Sequence, residues 1–194
     1  MNISYRVATP EHFKSLAELR IEVFYDFPYL YQGSMEYEQK YLETYLKTPT
    51  SRIFLALDGE RIVGASSCVP LEHESKEVID PLIKAGFSPN DVLYFGESVL
   101  KKEYRGHGIG LKFFELRESY AKELSRKHCL FCAVIRDVNH PLKPRDYIPL
   151  TEFWKKRGYK PLNGCIAFFR WLDRDNTIET EKGLQFWSKE LLRS

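Results

Sequence analysis

DVLYFGESVLKKEYRGHGIGLKFFELRESYAKELSR, residues 91–126, changes character twice, and those two changes decide the fold. Residues 93–100 are dense in aromatic and branched side chains, which suits a strand buried on both faces. From Ile109 onward apolar residues recur every three or four positions, at Ile109, Phe113, Leu116, Tyr120 and Leu124, with Lys112, Glu115, Glu118 and Lys122 between them. That is the period of an amphipathic helix. Arg105-Gly106-His107-Gly108-Ile109-Gly110 joins the two.

Alternating glycines at a helix start are costly, since glycine inside a helix is about 1 kcal/mol worse than alanine. Two readings account for them. They make a tight strand-to-helix turn, or they leave bare backbone so that an anion can approach the first helical amides, which lack internal partners and sit at the positive end of the dipole. A dinucleotide fingerprint asks for glycine at the sixth position of GxGxxG. Counted from Gly106 that position is Leu111, which weakens a nucleotide-binding reading.

The stretch SVLKKEYRGHGIG resembles the acyl-CoA motif of the GNAT superfamily of N-acyltransferases: an apolar strand end, a few polar residues, then Arg/Gln-x-x-Gly-x-Gly/Ala. Leu100 is the apolar residue, and Arg105, Gly108 and Gly110 fill the three named positions. The resemblance implies an α/β (α+β) fold. It would be a single domain over residues 1–194 with a mixed, mostly antiparallel sheet of six to seven strands and helices on both faces. It implies acetyl-CoA as co-substrate, its diphosphate on Arg105, Gly106, His107, Gly108, Ile109, Gly110 and Lys112, and its pantetheine arm on the backbone of Ser98, Val99 and Leu100. In that family the strand before the loop and the strand after the helix splay apart, and the arm lies in the gap.

Composition fits such an enzyme. The chain has 194 residues, 43% hydrophobic and 29% charged, with a formal net charge of +2, enough for one domain with a real core. That charge balance argues against a nucleic-acid partner, although Lys101, Lys102, Arg105 and Lys112 gather near the glycine loop. No apolar run reaches the ~20 residues of a membrane helix, and the first ten residues lack the apolar core of a signal peptide, so a cytoplasmic protein without a membrane partner is expected. Cys68, Cys129, Cys132 and Cys165 make no secretory framework. Cys129 and Cys132 fall in an expected strand, where residues three apart face opposite sides, so they read as buried free thiols. No metal is expected.

In chain order, residues 3–7 read as a strand. Thr9-Pro10-Glu11 opens a helix reaching Phe24, with Phe13, Leu16, Ala17 and Phe24 on its buried side. Residues 24–34 form an aromatic linker. A helix over 35–46 follows, with Tyr37, Tyr41, Leu42 and Tyr45 on one face. Residues 52–57 and 61–69 make a hairpin across Asp58-Gly59. Residues 70–90 form an insertion with a short helix near 75–85, its role unassigned. Residues 128–135 read as an interior strand. Residues 136–149 form a loop broken by three prolines, and 150–157 a short helix. Residues 159–161 and 165–172 would be strands, and a final helix near 183–193 would dock through Leu184, Trp187 and Leu191.

The chemistry expected is acetyl transfer to a primary amine of a small molecule or a protein. Such an amine has a pKa of about 10.4, so a positioned base raises its reactive fraction. Glu97, a carboxylate inside an apolar strand, is the candidate base; its alternative is an ion pair with an arginine such as Arg136. Asp26, Tyr29, Tyr31 and His140 are candidate acceptor residues from the two loops. FWKKRGYKP resembles the family's Tyr-x-x-x-Gly-Phe ending, whose tyrosine protonates the departing thiolate. Here Trp154 holds that slot and its indole is no acid; by its place in the resembled motif Trp154 is expected to contact the coenzyme. Tyr147 could then reach in, the thiolate could leave unaided, or the protein could be a non-catalytic acyl-CoA sensor. A homodimer stays open.

Overall fold

A computed structural model describes residues 1–191. Strand β1 (Ile3–Val7) leads through one 3-10 turn (Pro10–His12) into α1 (Phe13–Phe24). The backbone amide of Thr9 donates to His12 Nδ1 (3.0 Å), which caps this entry. Helix α2 (Met35–Lys47) starts at Ser34, whose hydroxyl accepts from the Tyr37 amide. Strands β2 (Arg52–Asp58) and β3 (Arg61–Pro70) form the hairpin, and the insertion carries α3 (Lys76–Lys84). Then come β4 (Val92–Tyr94), β5 (Ser98–Leu100), α4 (Ile109–Glu123), β6 (His128–Val134), α5 (Thr151–Lys155), β7 (Lys160–Trp171) and β8 (Thr180–Glu190).

The strands form one mixed sheet in the order β1-β2-β3-β4-β6-β8-β7, with β5 paired to β3. Only β4 and β6 run parallel; the other pairs are antiparallel. Helices cover both faces. Leu16, Ala17 and Leu19 of α1, Leu42 and Tyr45 of α2 and Val78 and Leu82 of α3 pack on one side with Tyr94, Leu130 and Phe186. On the other, α4 packs through Phe114, Tyr120 and Ala121 against Leu93, Phe131 and Trp187, and through Ile109 and Phe113 against Ala56 and Val63. Cys129 belongs to the second side and Cys132 to the first, because successive strand residues alternate. All four cysteines are free and buried, and burial pushes the Cys132 thiol up to about 12.

Two expectations are corrected. The end of the chain is not a helix: Leu184–Glu190 lies in β8, hydrogen-bonded to β6 on one side and β7 on the other. Leu192 and Arg193, the end of that expected helix, lie outside the described residues. Leu184 and Phe186 face one layer and Trp187 the other, so a strand apolar on both faces mimicked helical spacing. Likewise β7 is one long strand where two short ones were expected, with a bulge between Pro161 and Ile166. The sheet holds eight strands because the strand before the glycine loop is broken in two.

Candidate active site

The break in that central strand builds the site. Tyr94 pairs with Val69 and Ser98 with Ser66, so three residues, Phe95, Gly96 and Glu97, stand opposite two, Ser67 and Cys68. One extra residue on one strand is a β-bulge, which bends the strand and re-aims its side chains. The Phe95 amide still reaches Leu130 O on β6 (2.7 Å), but β5 then pairs only with β3. A gap opens between β5 and β6. The bulge is pinned from below by Arg117 of α4, only 2% exposed, which donates to Ser67 O (3.4 Å) and Glu97 O (3.3 Å) and lies over the Phe95 ring at 4.2 Å. From above, Tyr45 and Ser67 press so closely on Gly96 that a Cβ there would collide with both hydroxyls. A side chain at that position would force both hydroxyls to move.

Glu97 turns off the bulge into a cavity of about 580 Å³ lined by α1, α2, the insertion and the β7–β8 turn. It is not a lone buried carboxylate. Oε1 pairs with Arg20 Nη1 at 2.5 Å, and Oε2 accepts from the Tyr41 hydroxyl at 2.6 Å. Arg20 in turn pairs with the fully buried Glu38 and stacks 4.2 Å over Tyr41. The alternative to catalysis, an ion pair with an arginine, is thus present, but with Arg20 and not Arg136, which binds Asp173 (2.8 and 2.9 Å) and the carbonyls of Pro28 (2.6 Å) and Tyr29 (2.5 Å) and ties the aromatic linker to the β7–β8 turn. Tyr45 bonds Tyr41 (3.0 Å), and its hydroxyl approaches Glu74 of the insertion at 3.5 Å. Burial lifts the Glu74 carboxyl above the usual range, against the pull of the Ser75 amide. Burial likewise raises Tyr29, Tyr41, Tyr45 and Tyr94, so these phenols keep their protons near neutrality.

Arg20 and Glu74 were missed in the sequence. Arg20 sits four residues after Leu16 and four before Phe24, on the buried side of α1. A charged residue in an apolar stripe is a legible signal of a buried partner. Glu74 carried no comparable signal, because a tertiary contact alone brings the insertion to the cavity.

At the other end of the bulged strand, Gly106 and Gly108 both adopt φ of +81°, and a Cβ at either would meet nothing within 4 Å. The first helical bond runs from the Lys112 amide to Gly108 O at 3.0 Å. The amides of Ile109, Gly110 and Leu111 therefore have no partner inside α4, as an anion site at a helix start requires. Arg105 lies back along the strand and donates to Leu100 O at 3.3 Å. Lys101 is turned away to Glu22 of α1, and Lys112 pairs with Glu115 at 3.2 Å.

The remaining candidates separate. Tyr29 and Tyr31 line the cavity. Asp26 is exposed and faces Arg174 at 3.8 Å, so it does not supply the cavity's counter-charge. His140 and Tyr147 both pack on Phe27, at 5.8 and 4.7 Å between rings. Tyr147 also feels Arg105, and burial raises its phenol despite that charge. Trp154 is on the other layer, with its ring 5.0 Å from Phe131 and 5.1 Å from Trp187. Among the described residues no three His, Cys, Asp or Glu side chains converge as a metal site, and no helix is long and apolar enough to cross a membrane.

A split central strand, a glycine-led helix start whose first amides lack internal partners, and a carboxylate-bearing cavity fit an acyl-CoA-dependent transferase. The sequence model of the acetyltransferase (GNAT) family matches residues 14–159, and the chain belongs to that family, whose members are N-acetyltransferases using acetyl-CoA. The fold is similar to that of an N-acetyltransferase from Staphylococcus aureus Mu50 (TM-score 0.64, 11% identity, 98% of this chain and 99% of that one). It is also similar to a ribosomal-protein-alanine N-acetyltransferase from Brucella melitensis (0.63, 13%, 97% and 99%). A third similar structure is yncA from Salmonella typhimurium with its cofactor acetyl-CoA (0.64, 9%, 99% and 95%). No curated protein matches the sequence.

Proposed function

We propose that the protein transfers an acetyl group from acetyl-CoA to a primary amine held in the cavity beside Glu97. The bulge at Phe95–Glu97 carries this reading, because one irregularity both opens the gap between β5 and β6 and aims Glu97 into the cavity. The amides of Ile109, Gly110 and Leu111 with Arg105 hold the diphosphate. The backbone of Ser98, Val99 and Leu100 lines the arm and polarises the thioester carbonyl.

The incoming amine is mostly ammonium at neutral pH, with about one molecule in a thousand free. The amine nitrogen attacks the thioester carbon, its proton passes to Glu97, and the carbon–sulfur bond breaks to release the thiolate. Arg20 serves here as well, since its charge disfavours an ammonium at Glu97 and favours the reactive neutral amine. Phenols at Tyr29 and Tyr147, both protonated, can donate to the leaving sulfur in place of the missing family tyrosine.

Thiol release with a panel of primary amines tests the proposal. Glu97→Gln should lower kcat/KM by about 10²–10⁴-fold while the fold persists, because Arg20 keeps Glu38. A change below about threefold, against this expected range, removes Glu97 from the mechanism.

A further inference from the structure

Three carboxylates line the cavity, Glu74, Glu97 and the exposed Glu179 at its rim, and the first two stand in unlike surroundings. Glu97 has the guanidinium of Arg20 against it. Glu74 contacts only neutral donors, the Ser75 amide at 3.1 Å and the Tyr45 hydroxyl at 3.5 Å, and no cation stands among its partners in the described residues. Glu74 is partly buried, and a carboxylate drawn part-way out of water without a cation costs free energy that a ligand's charge recovers. Two aromatic rings close to it, Tyr45 and Tyr94, line the same cavity, and ring faces attract cations. Glu74 and Glu97 are joined by the hydroxyls of Tyr45 and Tyr41 through links of 3.5, 3.0 and 2.6 Å. A short ligand therefore reaches both.

We infer that the acceptor is a short diamine-type molecule, one nitrogen reacting at Glu97 and a second, cationic nitrogen anchored at Glu74. The inference rests on the acetyl-transfer reading above and gives it a substrate class. The two ends are not equivalent. An ammonium at Glu97 is opposed by Arg20, so the neutral end sits there, whereas Glu74 accepts an ammonium unopposed. The insertion at residues 70–90 thereby gains a role, since it supplies Glu74 to the cavity.

The experiment compares kcat/KM for 1,4-diaminobutane with that for n-butylamine, in the wild-type chain and in Glu74→Gln. A charge-assisted hydrogen bond of about 1.5–3 kcal/mol corresponds to a diamine preference of about 10- to 100-fold, and that preference should fall to near one in the variant. An equal rate for both amines in the wild type overturns the inference and leaves acetyl transfer standing. So does a variant that retains the preference, or one that loses both substrates alike, which would make Glu74 a participant in the common chemical step. Were Glu74→Gln not to fold, a series of α,ω-diamines on the wild-type chain decides: efficiency should peak at one chain length, and a flat series overturns the inference. Absence of turnover with every amine refutes the acetyl-transfer reading itself, and the diamine class with it.

Discussion

Replacing Gly108 by alanine separates the backbone cost of the glycine loop from its use. Gly108 caps α4 at φ +81°, a left-handed conformation that costs an L-residue about 1–2 kcal/mol. No atom lies within 4 Å of the added methyl, so backbone strain is the whole loss in the free protein. For a domain of this size that loss lowers Tm by about 2–4 °C per kcal/mol. The methyl also stands at the start of α4, where the amides of Ile109, Gly110 and Leu111 lack internal partners, and strain there would disturb their aim at a phosphate. One charge-assisted hydrogen bond to phosphate is worth about 1.5–3 kcal/mol, so the Kd for coenzyme A should rise about 10- to 100-fold. Gly59 provides the control, having φ +61° in the β2–β3 turn and equally empty surroundings. Gly59→Ala should lower Tm similarly and leave coenzyme affinity alone. Titration calorimetry with coenzyme A reads the affinity, and kcat/KM with S-acetylpantetheine, which lacks the diphosphate, reads the arm. Should Gly108→Ala bind coenzyme A as well as Gly59→Ala does, or lose both thioesters equally, the diphosphate assignment is wrong.

Trp154→Tyr restores the family's tyrosine to its slot, yet kcat should change by no more than about twofold, because the ring packs on Phe131 and Trp187; a large gain would show that a phenol there reaches the sulfur. Truncation of the same residue to alanine should cost about 3 kcal/mol in urea unfolding. Asp173→Asn removes the carboxylate that Arg136 and Lys182 share, and should cost about 3–5 kcal/mol near neutrality. Burial alone lifts the Asp173 carboxyl, but hydrogen bonds and charge from Arg136 and Lys182 outweigh it and hold it below its ordinary 3.8. A depressed carboxylate contributes its stability above the unfolded value and loses it as pH falls through the folded one. The gap between wild type and Asp173→Asn should therefore be constant above that ordinary value and close below it; a gap that widens in acid contradicts the assignment.

Local features of this protein were legible in its amino-acid order. Strand β1, the Asp58-Gly59 hairpin, the helix-period face of α4 and the glycine loop before it each depend on residues within a few positions of one another. Turn chemistry and periodicity act at that range, so the motif and these elements could be read directly. Arg20 was legible too, had its place between Leu16 and Phe24 been given weight. Tyr29 and Tyr31 of the aromatic linker line the cavity, whereas Asp26 of the same linker lies outside it.

Tertiary structure alone decided the rest. Whether residues 93–100 form one strand or two depends on their register against β3, and on Tyr45 and Arg117 pressing on the bulge from opposite layers. The spacing of Leu184, Trp187 and Leu191 satisfies a helix and a doubly buried strand equally. Only the positions left for pairing between β6 and β7 chose the strand. Arg20, Glu38, Glu74 and Glu97 come from four separated segments. Their convergence rests on long-range packing, in which a pairing partner far along the chain sets which face of a residue is buried and which charge it meets.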